Sequence, residues 1–164
     1  MRALRPTVLV LVALALAACG SSDEIDIGKA ERVIRDGVST QLGVPVEVVR
    51  CPEKVKRAKG NDFSCTATIG TESLRIKVVQ TDGKGNVRYS NDQAVIDLRK
   101  ARDEIAGSIK QQTGIAVSVD CGERHYEVHD PKDTFECKAS DGTVQRTVRI
   151  TVKDTQGNID FEVE

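Results

Sequence analysis

The sequence predicts an α+β fold made of two tandem repeats, each one helix packed on a four-stranded antiparallel sheet with one disulfide. Three observations lead there. Asp26, Ile27, Ala30, Ile34, Val38 and Gly43 recur 71 positions later as Asp97, Leu98, Ala101, Ile105, Ile109 and Gly114. Phe63, Cys65, Asp82, Gly85 and Asn86 recur 72 positions later as Phe135, Cys137, Asp154, Gly157 and Asn158, as a duplication with a loop insertion would leave them. Within each copy, the apolar spacing changes from three-and-four to strict alternation.

The elements follow in order. Ile27, Ala30, Ile34 and Val38 fall on one helical stripe, with Asp26 as N-cap and Gly43 as the C-terminal stop; Leu98, Ala101, Ile105 and Ile109 do the same between Asp97 and Gly114. Alternation then predicts strands at Val44, Val46 and Val48, at Phe63 to Ile69, at Leu74 to Val78 and at Val87 to Tyr89. The second copy repeats them at Ile115 to Val119, in Thr143 to Lys153 and at Ile159 to Val163. Gly85-Asn86 and Gly157-Asn158 read as hairpin turns, because they separate two strand patterns. The organisation expected is 1–18 leader, 19–25 tether, 26–90 first repeat and 95–164 second repeat. The short join contains no Pro or Gly run, so the repeats are expected to pack together, and the second helix could start within it.

Arg2 and Arg5 precede an apolar run from Val8 to Ala18 that is too short for a comfortable membrane span. It ends in Leu16-Ala17-Ala18-Cys19, which resembles the lipobox of bacterial lipoproteins. The resemblance implies cleavage before Cys19 and acyl chains on its thiol; an ordinary secretory leader cut near Ala18, or an uncleaved anchor, is the other reading. Two acyl chains would satisfy the two-signal requirement for stable anchoring. The tether from Gly20 to Glu24 spans at most ~17 Å, which keeps the folded part near the membrane. The expected location is the outer, extracytoplasmic face of the cell membrane.

The whole chain has 24 basic and 25 acidic residues among 164, and five aromatic ones. That balance argues against a nucleic-acid partner. Without the leader it becomes 22 basic against 25 acidic, too negative for adhesion to anionic lipid by charge alone.

With Cys19 assigned to lipid, four cysteines remain. Cys51 with Cys65 and Cys121 with Cys137 give one bridge per repeat; two other connectivities are formally open. Small, aromatic-poor exported domains need such staples. The spacings are too wide for a metal or C-x-x-C redox site.

No catalytic motif is present: there is no G-x-S-x-G elbow, Walker loop or G-x-G-x-x-G, and no cofactor or metal is expected. His125 and His129, four apart, would suit a metal only on a helix, and Pro131 follows; a solvated irregular loop is the expected setting. The loops inside the cysteine pairs differ in charge. Lys54, Lys56, Arg57 and Lys59 make the first basic, whereas Glu123, Glu127, Asp130 and Asp133 make the second acidic. These eight residues are candidate partner-facing groups, although solvated loops of that composition are common.

Cys51-Pro52, Phe63-Ser64-Cys65 and Asp82-Gly83, together with the lipobox, resemble the actinobacterial domain of unknown function DUF4333, present here as a tandem pair. The second copy departs from the pattern with Cys121-Gly122. The family, one of small exported or membrane-anchored domains, supplies no catalytic residues to transfer. The chain is therefore expected to be a non-enzymatic, lipid-anchored envelope protein that binds another, unidentified envelope protein; the alternative is a carrier or sensor of a small apolar ligand or lipid.

Overall fold

A computed structural model describes residues 23–164. The leader, Cys19 and the tether up to residue 22 lie outside the described residues. The helices are α1 (Ile27–Leu42) and α2 (Leu98–Thr113). The strands are β1 (Val48–Arg50), β2 (Asp62–Ile69), β3 (Glu72–Gln80), β4 (Val87–Asn91), β5 (Ala94–Asp97), β6 (Ser118–Asp120), β7 (Tyr126–His129), β8 (Thr134–Ser140), β9 (Gln145–Val152) and β10 (Ile159–Val163).

Two antiparallel four-stranded sheets have the orders β1-β2-β3-β4 and β6-β8-β9-β10, and β5 pairs antiparallel with β7 in a third, two-stranded sheet. Both helices start and stop on the residues their sequences announce. Asp26 accepts the Lys29 N–H and Asp97 those of Arg99 and Lys100, satisfying donors that the first helical turn leaves open. Gly43 and Gly114 end the helices at φ 65° and 74°, where a Cβ would be strained.

Each helix lays its apolar stripe on its sheet. Ile34 and Val38 of α1 meet Cys65, Ala67, Ile69, Leu74, Ile76 and Val78 in the first core, and Ala30 is buried on the same stripe. In the second half Leu98 and Ala101 pack with Ala94, Ile96 and Val152, while Ile105 packs with Cys137, Ala139, Val148 and Ile150. Fully burying an Ile or Leu side chain contributes about 1.5–3 kcal/mol, so these stripes hold the layers together. The disulfides are Cys51–Cys65 and Cys121–Cys137.

Four expectations are corrected. Val44 and Val46 are buried but precede the ladder, which starts only at Val48. Residues 91–94 do not open the second helix; the chain there turns straight into β5. Ile25, expected in the tether, belongs to the fold: its N–H donates to Val55 O at 3.0 Å and it is buried. The histidine loop is not irregular: Tyr126–His129 form β7, whose ladder with β5 pairs Val95 with Val128. An isolated bridge pairs Glu24 with Lys56 in the same manner just before α1.

The halves touch. Val95, Tyr126 and Val128 pack against the first core, and the Arg124 guanidinium bonds Glu72 at 3.0 Å across the join. The β5–β7 pair thus lies over the end of the first sheet near the β2–β3 turn, where a Cβ built on Gly70 would come 3.7 Å from Tyr126.

Candidate functional site

The expected partner-facing residues separate on burial. Lys54, Lys56 and Lys59 are exposed and Arg57 is half-buried. Glu123, Asp130 and Asp133 are exposed, but Glu127 is 7% exposed and therefore faces no partner. Its carboxylate lies 2.7 Å from Arg124 Nη2 and 2.9 Å from His129 Nε2. A buried carboxylate needs such company to offset lost hydration. The sequence showed an acidic loop; a strand places alternate side chains on opposite faces, which turns Glu127 inward.

His129 stacks on Phe135 with ring centroids 5.0 Å apart, whereas His125 is exposed. Among the described residues no three His, Cys, Asp or Glu side chains converge on a metal position.

The feature that sequence reasoning missed is a groove at the C-terminal end of α2. It encloses about 300 Å³ between Ile109, Gln112 and Thr113 of the helix, Ile115 and Val117 after it, and Ala139, Asp141, Val144, Arg146, Phe161 and Val163 of the sheet. Ile115, Val144 and Val163 are 52%, 51% and 45% exposed, three of the four large apolar side chains so exposed among the described residues. Apolar patches gathered in a concavity mark binding surfaces; scattered ones do not.

The matching positions of the first half are filled differently among the described residues, for identifiable reasons. Ala67 pairs with Leu74 and Ala139 with Arg146 at the same ladder position, yet Leu74 is fully buried and Arg146 exposed. After the capping glycines, Val44 is buried and Ile115 is not. The first sheet carries β5–β7 at this end: Val95, Tyr126 and Val128 pack against its core, Tyr126 lies near Gly70, and a concavity of about 450 Å³ remains between Pro45, Glu47, Gly70 and Thr71 and the segment before β7.

Asp141 fixes the groove's rim. It accepts the Val144 N–H at 2.8 Å, the Thr143 hydroxyl at 2.7 Å and the Thr143 N–H at 2.8 Å, which hold its carboxyl down at about 2. The folded pKa is below the ordinary value of 3.8, so the stabilisation by this turn is fully present above that value and fades as pH falls towards 2. An NMR titration of Asp141 is expected to give a midpoint near 2, and Thr143→Val to raise it. A midpoint at 3.8 would mean that the turn is not formed. Asp82 and Asp154 are also lowered, chiefly by the side-chain amides of Asn86 and Asn158, in the two turns read from the sequence as hairpins.

Residues 9–85 match the model of a family described as Domain of unknown function (DUF4333), which supports a domain of that family there. Residues 86–164 lie outside the match. No curated protein and no solved structure matches the chain.

Proposed function

We propose that the protein is a non-enzymatic, lipid-anchored envelope protein, built as a tandem pair of one unit, that binds another envelope protein through the open groove of its second unit. The groove carries this reading. Its apolar wall is left bare in the second unit, at the place where the first is covered by β5–β7. The shared sheet orders and the matching strand pairings before each helix support the duplication. The covering segment also indicates what the groove accepts: an extended segment bearing aromatic and β-branched side chains, as Tyr126, Val95 and Val128 are.

A photo-crosslinking side chain at Val144, in whole cells, tests this against the same group at exposed Glu104 on α2. A protein adduct specific to position 144 and abolished by Ile115→Glu is the expected result. An acyl-lipid adduct without protein would replace the reading with a small-ligand carrier, for which the groove's apolar lining is also suited. Identical adducts at both positions would overturn both readings. Separately, the mature chain carrying Cys19→Ser is expected to be washed from membranes by high salt, where the acylated protein stays bound.

A further inference from the structure

The basic loop that follows Cys51 is locked to the first described residues of the chain. Arg57 N–H donates to Asp23 O at 2.6 Å, and Arg57 Nη2 donates to Glu24 O at 3.0 Å. From beneath, the buried Gln80 amide donates to Lys56 O at 2.8 Å and accepts the Ala58 N–H at 3.1 Å. Held this way, the loop walls a cleft of about 350 Å³ between the first turn of α1 and the β3–β4 turn.

Lys29, Arg57 and Lys84 line that cleft, and Asp26 is the one acid among the described residues that line it. None of the three cations forms an ion pair among the described residues. Asp26 is occupied in capping α1, and Asp82 accepts the Lys84 and Asn86 N–H groups inside its own turn. Three cations that line one concavity and have no carboxylate partner among the described residues make it electropositive and suit it to an anion.

We propose that this cleft seats the phosphate of an anionic phospholipid headgroup, with Lys29, Arg57 and Lys84 as its ligating cations. The proposal rests on the lipid-anchored reading, which supplies the source of the phosphate. Asp23 is four residues beyond Cys19, at most ~14 Å of extended chain, so acyl chains on Cys19 would hold this edge at the headgroup layer. Lys54, Lys56 and Lys59 on the adjoining loop add to the local positive potential. Asp23, Glu24 and Glu53 along the same edge keep its net charge low. The site therefore works through directed donors at one phosphate and not through a broad field. This is how a chain of negative formal charge without its leader can still select anionic lipid.

The test is co-sedimentation of the mature chain carrying Cys19→Ser, so that acylation contributes nothing. Vesicles of equal parts phosphatidylglycerol and phosphatidylcholine are compared with phosphatidylcholine alone. Binding to the anionic vesicles only is expected, falling roughly fivefold for each of Lys29→Gln and Lys84→Gln. Both side chains are exposed, so the variants should keep the fold, which a thermal melt verifies. Lys110→Gln with Lys138→Gln, the same charge change on the second unit as Lys29→Gln combined with Lys84→Gln, is expected to leave binding unaltered where that double variant loses it. No preference for the anionic vesicles, or equal loss from the control pair, would overturn the proposal. Binding of inorganic phosphate with no preference for the anionic vesicles would assign the cleft to a free anion and likewise overturn it. The mass of the Cys19 peptide from cells decides anchoring independently: unmodified Cys19 with intact vesicle selection would refute the anchor and leave the seat standing.

Discussion

Replacing Cys51 and Cys65 together by alanine is expected to cost about 3 kcal/mol, and removing Cys121 and Cys137 a similar amount. Alanine is the informative choice, because Cys65 and Cys137 are 2% and 1% exposed and a serine hydroxyl would add a desolvation cost there. The sequence separations are 14 and 16 residues, so both staples shorten the unfolded chain's freedom by nearly the same amount. Removing both pairs subtracts about 6 kcal/mol, comparable with the whole stability of an ordinary domain, and the chain is expected to be largely unfolded at room temperature. Urea unfolding of the three variants checks this. A loss under about 1 kcal/mol for either single pair would show that the loop is held without its bridge.

That last outcome is a real contest in the first unit. Its loop is also gripped by Gln80 and by the Asp23–Ile25 segment, and the Cys51 N–H donates to Glu31 Oε1 at 2.9 Å. In the second unit the same role falls to a full β5–β7 ladder. If those contacts persist in the reduced chain, the loss at that bridge will fall below about 3 kcal/mol. Comparing the two alanine pairs therefore measures how far the chain's own hydrogen bonds duplicate the work of a disulfide.

The helices were legible because their signals are local: a capping aspartate, an apolar stripe and a glycine stop sit within about five turns of one another. The central strands were legible for the same reason, and the hairpin turns announced themselves through Asp82 and Asp154. What could not be read was long-range. Nothing around Tyr126 distinguishes a solvated loop from a strand, since its ladder partner is β5, some thirty residues away. Glu127 was consequently misread as a surface charge. The groove was hidden for a related reason: Ile115 alternates with Val117 just as Val44 does with Val46, and the segment packed over the first sheet helps make the two ends differ. The Leu74 and Arg146 contrast was in the sequence all along, but it acquires meaning only once both are known to stand opposite an alanine.

Leu98→Ala is expected to cost about 3 kcal/mol, and Ile27→Ala, at the matching first position of α1, about 1 kcal/mol. By sequence register the two are the same residue. Leu98, however, is 0% exposed, packed with Ala94, Ile96, Ala101 and Val152, and its N–H donates to His125 O at 2.9 Å. Ile27 is only half-buried, because the strand before α1 is reduced to the single Glu24–Lys56 bridge. Truncating Leu98 leaves a cavity lined by Ala94 and Ile96 of β5, which the ladder with β7 holds in place against collapse, whereas solvent and the first turn of α1 can close over a shortened Ile27. Urea midpoints measured at constant m-value separate the two. Equal losses would mean that β5 and β7 are not seated over the start of α2 in solution. The account of why the first groove is covered and the second open would fall with them, since the same two strands do both jobs.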